Sequence, residues 1–343
     1  MPLRSRLSSP FLLGTNRVTL QMLQLLLALV PAIAAMVYFF GPSVLITITF
    51  AIIVALIAEA AMLKLRNRPL KPFLTDGSAI VTAVLLAIAL PPLVPWWLIT
   101  VGIIFAIIFA KHLYGGLGYN PFNPAMIAYV VLLVSFPLEM TTWLPVKTLA
   151  ENPLDFTSAF QVIFTGQLSN GISIDALSGA TPLDTMKTHL GLLDTPAEIV
   201  RQPLFGLFGG KGWEWINILF AVGGLYLLYR RVITWHIPVA MLIALATISA
   251  ITWLIAPETT ASPLFHLLCG GTMLGAFFIA TDPITAATTV KGRLVFGAGV
   301  GLLTYIIRVW GGYPDGIAFA VIIMNMLVPL IDYYTQPKVY GAK

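Results

Sequence analysis

Long apolar segments recur along this chain, and they limit its fold more than any other feature of the sequence. Ten such segments lie near residues 20–40, 44–63, 77–90, 96–110, 124–136, 213–229, 237–256, 264–281, 294–310 and 316–334. A helix needs about 20 apolar residues to cross a bilayer. Only 10% of the residues are charged, against roughly 25% in a soluble domain. The sequence therefore predicts an all-α polytopic membrane protein with ten transmembrane helices.

Lysine and arginine residues are concentrated in alternate connections between these segments. They are Arg4, Arg6, Arg17, Lys64, Arg66, Arg68, Lys71, Lys111, Arg230, Arg231, Lys291, Arg293, Lys338 and Lys343. By the positive-inside rule, the connections that carry them face the cytoplasm. We therefore expect both termini in the cytoplasm and the long loop 137–212 on the outer side of the membrane. Arg308, at the outer end of the ninth segment, breaks the pattern, and we expect its side chain to snorkel to the interface.

The chain also carries a weak internal repeat. Residues 88–92 (IALPP) resemble residues 279–283 (IATDP), and Gly-Tyr-Asn-Pro at 118–121 resembles Gly-Tyr-Pro at 312–314. Two repeats of five helices must insert in opposite senses, and such inverted repeats place broken helices at their interface. The third and fifth segments are short and flanked by Gly and Pro, as half-helices would be. We expect one five-helix repeat in 1–136, the periplasmic loop in 137–212 and the second repeat in 213–343.

The most specific motif lies in the long polar loop. Residues 175–184 read DALSGATPLD, and the pattern D-x-x-S-G-A-T is an acceptor sequence for esterification of FMN to a threonine hydroxyl, here Thr181. Asp175, Ser178, Gly179 and Ala180 form the upstream part of the motif. The pattern should arise by chance in only about one in a thousand chains of this length.

A simpler interpretation of Thr181 is a helix N-cap. Pro182 suits the first helical position, and Asp184 suits the capping-box position, with its carboxylate turned back to the Thr181 N–H. A helix from here through Leu193 is expected. The two interpretations are compatible, because the N-terminus of a helix favours the phosphate of a bound flavin.

Five runs along the chain, in this order and spacing, resemble the NqrB/RnfD family of membrane flavoprotein subunits. They are DGSAIVTAVLLAIALPP from Asp76, GGLGYNPFNPAM from Gly115, DALSGATPLD from Asp175, GAFFIATDP from Gly275 and GGYPDGIAFAVIIMN from Gly311. The resemblance implies FMN linked covalently to Thr181, ten helices, and a bacterial inner-membrane protein whose long loop 137–212 lies in the periplasm. It also implies a translocase subunit that relays electrons between ferredoxin and NAD, or toward reduction of the regulator SoxR, coupled to Na⁺ or H⁺ movement.

The same resemblance implies partners and a second cofactor. The partners are the other subunits of an Rnf-type complex, a flavin transferase for maturation and the membrane lipid, and we expect the subunit to be inert alone. Family members can hold a second, non-covalent flavin in the helical core. The alternative from a different class is a secondary transporter or channel for a small polar solute, in which Thr181 is only a helix cap.

Four polar residues are further candidates for a second flavin site or an ion path. Glu59 is an acid inside the second segment, although it could simply pair with Lys64. Asn120 and Asn123 precede the fifth segment, and Asp282 follows the eighth; helix capping explains these three as well. The histidines show no metal-ligand spacing, so no metal is expected. The net charge of +5 forms no single stripe, so no nucleic-acid partner is expected.

Overall fold

The computed structural model describes residues 16–150, 153–167 and 177–337, and the regular elements in these ranges are all helices. The first half contains α1 (Asn16–Phe40), α2 (Ser43–Leu65), α3 (Leu70–Leu74), α4 (Ser78–Ala89), α5 (Trp96–Ile104, continued as a π-helix over Phe105–His112) and α6 (Pro124–Ser135). The long loop contains α7 (Pro137–Thr141), α8 (Phe156–Thr165), α9 (Pro182–Gly191) and α10 (Pro196–Ile199). The second half contains α11 (Trp213–Tyr229), α12 (His236–Ile255), α13 (Pro263–Leu268), α14 (Thr272–Leu274, followed by a π-helix over Gly275–Ile279), α15 (Val290–Trp310) and α16 (Ile317–Thr335).

The prediction of an all-α, multi-pass membrane protein is confirmed. Within the described residues, six helical segments are long and apolar enough to cross a bilayer, and they cover 18–40, 43–65, 70–89 (α3 and α4 taken together), 236–255, 290–310 and 317–335. Shorter apolar helices lie at 96–112, 124–135, 156–165 and 213–229. The third and fifth segments form the short helices α4 and α6, with 12 residues each, as their length predicted.

The eighth apolar segment differs from the continuous helix predicted over 264–281. The helix stops at Leu268 and resumes at Thr272. Between them Gly270 has a φ of +63°, a left-handed conformation that L-amino acids with a side chain adopt only at a cost. The side chains of Asp315 and Leu183 also occupy the space where a Cβ of Gly270 would lie. The eighth apolar segment therefore forms two helices separated by an irregular turn at residues 269–271.

The helix pairings fit two repeats of opposite orientation. The first helix, α1, packs against the sixth apolar helix, α11, and the fifth, α6, packs against the tenth, α16. Within the first half α2 packs on α5, and α12 packs on α15 in the same way in the second half. The α1–α11 contact is close because Gly223 lies directly on the Ala28 carbonyl, where any side chain would clash. The boundaries assigned to the repeats stay a prediction.

The loop packs on one end of the membrane-spanning helices through two small apolar clusters. One cluster joins α9 and α10 to α13, and its buried members are Leu183, Met186, Ile199, Phe205, Ala261, Phe265 and Cys269. The other joins α8 to α2, and its buried members are Ile46, Leu93, Ala159, Val162, Ile163 and Leu177. The loop is therefore fixed at two places on the membrane domain, with Thr181 between them.

Candidate functional site

Thr181 is the N-cap of α9. Its backbone is extended (φ −73°, ψ 158°), its Oγ1 accepts a hydrogen bond from the Asp184 N–H at 3.2 Å, and Pro182 is the first helical residue. The predicted helix start is confirmed, although the helix ends at Gly191 and not at Leu193. The expected return bond from the Thr181 N–H to the Asp184 carboxylate is not formed among the described residues. The Asp184 side chain instead lines the cleft beside Thr181.

The segment before Thr181 is open to an approaching enzyme. Ser178 and Ala180 are exposed, and Thr181 itself is half-buried. The Gly179 N–H donates a hydrogen bond to the Trp143 carbonyl at 2.8 Å, which holds the backbone of the segment against the loop. Asp175, the first residue of the predicted acceptor motif, lies outside the described residues.

A deep cleft of about 1150 Å³, including space open to solvent, begins at Thr181 and continues between the helices of the two halves. Its lining is largely apolar and aromatic, as small-molecule sites usually are. Trp143 and Trp213 contact each other at a ring separation of 5.1 Å. Residues of the wall are Met36, Ile88, Met126, Tyr129, Leu133, Met140, Trp143, Trp213, Ile216, Phe220, Leu274, Ile279, Tyr313, Ile317 and Ala318. The lining also includes the polar residues Thr141, Thr181, Asp184 and Asp315.

The sequence did not predict this cleft. Trp213 packs on Trp143 and lines the cleft. Trp143 and Tyr313 lie in connections and carried no periodic signal. The position of Trp213 at the first residue of α11, immediately after the loop, is the signal that could have placed it here.

Lys187 attaches α9 to the membrane domain. Its Nζ donates hydrogen bonds to the carbonyls of Gly311 and Tyr313 in the connection between α15 and α16. Burial against these groups lowers the pKa of Lys187 below its ordinary value, and Asp184 opposes that effect. The helix α9 is therefore attached to the rest of the protein at two points. One is the apolar cluster that contains Leu183, and the other is the pair of hydrogen bonds from Lys187.

Asn123 and Asp282 lie in a second group of polar residues. Asn123 caps α6 by accepting hydrogen bonds from Ala125 and Met126, and its own N–H donates to Asn325 Oδ1 at 3.2 Å. Asn325 Nδ2 donates to the Thr285 carbonyl at 3.0 Å. Asp282 accepts hydrogen bonds from the Ile284 N–H and the Thr285 hydroxyl. This group joins α6 to α16 and to the chain after the broken segment.

Asn120 and Asn325 are two further buried amides, of which Asn325 bonds to Asn123 and Asn120 bonds to the nearby Phe122. Asn120 Nδ2 donates to the Phe122 carbonyl, while its Oδ1 is buried and has no hydrogen-bond partner among the described residues. Asn325 was missed by sequence reasoning, although a lone amide in the apolar run of α16 is a signal for a helix–helix contact.

Glu59 does not pair with Lys64, the partner that sequence proximity suggested. Lys111 Nζ lies 2.9 Å from both carboxylate oxygens of Glu59, and His112 Nε2 lies 3.0 Å from Oε2. Lys64 points outward and is exposed. Glu59 is 1% exposed, so an ion pair inside the protein replaces the one expected near the interface. Lys111 also donates to the Ser78 hydroxyl at the start of α4.

The neighbours of His112 determine which of its nitrogens carries the proton. Arg66 Nη1 lies 3.2 Å from His112 Nδ1. A guanidinium group can only donate, so Nδ1 accepts, and in the neutral ring the proton is on Nε2, facing Glu59. Glu59, Lys111 and His112 do not line the cleft. The predicted candidates therefore fall into three groups: Thr181 with its cleft, the Asn123 group and the Glu59 group.

Arg308 was expected to snorkel, and this expectation is wrong. Its side chain is buried inside the protein, with 3% of its surface exposed. It donates hydrogen bonds to the His266 and Cys269 carbonyls, to the Thr272 hydroxyl and to Asp315. The break in the eighth segment exposes these carbonyls, and a guanidinium group can satisfy several of them together. Among the described residues no group of three His, Cys, Asp or Glu side chains could hold a metal ion.

Comparison with known proteins gives a consistent result over nearly the whole chain. A profile of the NQR2, RnfD, RnfE family matches residues 6–341. The chain is 54% identical over 345 residues to a protein of Yersinia pseudotuberculosis whose name assigns it to an ion-translocating oxidoreductase complex. It is 53% identical to the protein of the same name from Aliivibrio salmonicida and 52% identical to that from Shigella dysenteriae. Each alignment covers 98% of both chains.

Proposed function

The chain belongs to the NQR2, RnfD, RnfE family, and we propose that it is the RnfD component of an ion-translocating oxidoreductase complex, with FMN bound covalently to Thr181. In this proposal the complex moves electrons between ferredoxin and NAD, or toward reduction of SoxR, and couples the transfer to Na⁺ or H⁺ movement. The protein acts only with the other subunits of the complex. The observation that carries the cofactor assignment is that Thr181 lines a cleft together with Trp143, Trp213, Tyr129 and Tyr313.

The residues around Thr181 fit a covalently attached flavin. The hydroxyl accepts a hydrogen bond from the Asp184 N–H and donates none among the described residues, so its proton is available for removal during esterification. A phosphate on this oxygen would lie at the N-terminus of α9, where backbone N–H groups favour an anion. The tryptophans at 143 and 213 and the tyrosines at 129 and 313 offer flat apolar surfaces to a ring system.

A flavin held there would supply exchange of electrons in pairs or one at a time, which suits a carrier between iron–sulfur and nicotinamide partners. The chain contributes position and environment. Thr181 tethers the cofactor, so that transfer does not depend on its diffusion. Trp143, Trp213 and Phe220 line the cleft with apolar surface, and Lys187 and Leu183 hold α9 on the neighbouring helices and connections.

The chain contains its own control for the attachment site. Thr195 is also the N-cap of a loop helix, with Pro196 at the first helical position and Glu198 at the third, but it lacks the residues Ser-Gly-Ala before it. The test is flavin fluorescence in a denaturing gel, with the flavin transferase co-expressed. We expect a fluorescent band in the wild type and in Thr195→Ala, and none in Thr181→Ala.

Other outcomes of this experiment contradict the proposal in distinct ways. Fluorescence retained in Thr181→Ala and lost in Thr195→Ala would move the attachment site. A wild-type protein without flavin, despite an active transferase, would contradict the electron-carrier function and favour the transporter alternative, which requires solute flux without redox partners. Thr181→Ser keeps the hydroxyl and the N-cap, so it separates loss of the acceptor oxygen from loss of the helix cap.

A further inference from the structure

The helix α8 (Phe156–Thr165) has two apolar faces. Ala159, Val162 and Ile163 are buried against the membrane domain. On the other face Phe156 is 59% exposed and Phe160 is 48% exposed. The ten residues of α8, FTSAFQVIFT, include no charged side chain. A helix that presents phenylalanines and no charge to water would be unusual, so this face requires a partner.

The position of α8 on α2 identifies the environment of that face. Ile46 of α2 belongs to the cluster that covers α8, and the ring of Phe50 contacts Phe164 at 5.3 Å. Phe50 is seven residues inside the start of α2 at Ser43, and at 1.5 Å per residue this is about 10 Å along the axis. The C-terminal part of α8 therefore lies below the outer end of a transmembrane helix.

The surface that α8 covers continues into the lipid-facing surface of α2. Residues 46, 50, 53 and 57 have the spacing of one helix face. The first two contact α8, whereas Ile53 is 50% exposed and Ile57 is 65% exposed. A transmembrane helix presents such a stripe to hydrocarbon. Because α8 covers the outer part of the stripe, it occupies the space that lipid acyl chains would otherwise fill beside α2.

From these contacts we propose that α8 is an interfacial helix that lies in the outer leaflet, with Phe156 and Phe160 buried among lipid acyl chains. Amphipathic helices that bind bilayers this way place their aromatic and aliphatic side chains at the boundary between headgroups and acyl chains. Asp155, which caps α8 through the Ser158 N–H, stays at the polar side. The occupant of this surface is lipid, and the proposal holds whether or not Thr181 carries flavin.

If α8 lies in the bilayer interface, the loop segment packed against α8 has a fixed position relative to the bilayer. Leu177 packs in the same cluster as Ala159, Val162 and Ile163 of α8. Thr181 follows Leu177 by four residues and begins α9. The lipid contact of α8 therefore sets the depth of the segment that leads to Thr181, and the Leu183 cluster sets it from the other side.

The test is the collision accessibility of a nitroxide spin label at residue 160, measured by electron paramagnetic resonance. The Phe160→Cys variant is labelled in the whole complex, reconstituted into vesicles of phosphatidylethanolamine and phosphatidylglycerol. Oxygen is concentrated in the bilayer, and a nickel chelate is confined to water. The references are Ile57→Cys, on the exposed face of α2, and Leu193→Cys, which is 89% exposed in the loop. Cys269 is fully buried, so the parent chain gives the background.

We expect the oxygen-to-nickel collision ratio at residue 160 to exceed that at residue 193 several-fold and to lie below that at residue 57, which is deeper in the bilayer. A ratio equal to that at residue 193 would place the helix in water and overturn the proposal. Low collision rates with both reagents would show that another subunit covers Phe160, which also overturns it. Phe156→Cys, one turn earlier on the same face, must give the same result; disagreement between the two sites would exclude a helix lying in the interface.

Discussion

Lys111 and Arg308 make the same contact in the two halves of the molecule. Each buried cation donates a 2.9 Å hydrogen bond to the hydroxyl of the residue that begins a broken helix, Ser78 of α4 or Thr272 of α14. Each also pairs with a carboxylate, Glu59 or Asp315. A buried cation therefore holds each of these half-helices at its N-terminus.

The first prediction concerns the charge balance of the Glu59 cluster. Lys111→Met leaves the Glu59 carboxylate buried without its ammonium partner, and such a change costs about 3–5 kcal/mol. We expect a large fall in the free energy of unfolding. It can be followed as the apparent melting temperature in detergent with a fluorogenic maleimide, because Cys269 is the chain's one cysteine and is buried until unfolding.

The double variant Lys111→Met/Glu59→Leu is the control for this prediction. Removing both charges avoids an unpaired buried ion, so most of the lost stability should return. If the double variant is less stable than the wild type by the sum of the losses measured for Lys111→Met and Glu59→Leu separately, the two charges are not a pair.

The second prediction separates the geometry of Arg308 from its charge. Arg308→Lys keeps the positive charge but has a single nitrogen for the acceptors on His266, Cys269 and Asp315. An unpaired buried carbonyl costs about 1–3 kcal/mol, so the lysine variant should be destabilised by at least that amount. The melting temperature measured through Cys269 checks this. Arg230→Lys, at an exposed position, should leave it unchanged; equal effects of the two variants would contradict the prediction.

The positions of the helices could be predicted because apolar length and alternating basic connections are local signals. The predicted segment near residues 237–256 forms the helix His236–Ile255, and the Thr181–Pro182 cap was also visible in the sequence. The break after Leu268 was not predicted, because no charged residue interrupts the apolar run there. A glycine pair in such a run is compatible with a continuous membrane helix, and only the packing of Asp315 and Leu183 shows otherwise.

The partners of the buried polar residues could not be predicted, because they are distant in sequence. Lys111 is 52 residues from Glu59, and Asn325 is 202 residues from Asn123. Sequence proximity suggested Lys64 for Glu59, and the positive-inside pattern suggested an interface position for Arg308. Both arguments treat a charge as exposed to water or headgroups. In this fold the packed helices bury these charges against one another, and a single sequence contains no signal for such contacts.

A third prediction tests the amide pair between the two halves. Asn325→Leu removes the acceptor of the Asn123 N–H and the donor to the Thr285 carbonyl. Two backbone groups are left unpaired in the interior, at about 1–3 kcal/mol each. We expect the largest loss of stability among conservative changes on α16. Met326→Leu, at a neighbouring exposed position, is the matched control and should have little effect. Equal melting temperatures for the two variants would show that the Asn325 bonds are dispensable.

The last prediction uses the pH dependence of Lys187. Burial lowers its pKa below 10.5 in the folded protein, with Asp184 opposing the shift. Between the lowered pKa and 10.5 the unfolded chain binds more protons than the folded chain, so the Lys187 contribution to stability rises with pH in this window and is constant below it. Lys187→Met lacks that contribution. The melting temperature of the wild type minus that of Lys187→Met, followed by tryptophan fluorescence, should therefore increase from neutral pH toward 10.5. The same difference in melting temperature for the exposed Lys211→Met should not change with pH. If the difference for Lys187→Met does not change with pH either, the Lys187 ammonium group remains fully hydrated and does not hold α9 on the Gly311 and Tyr313 carbonyls.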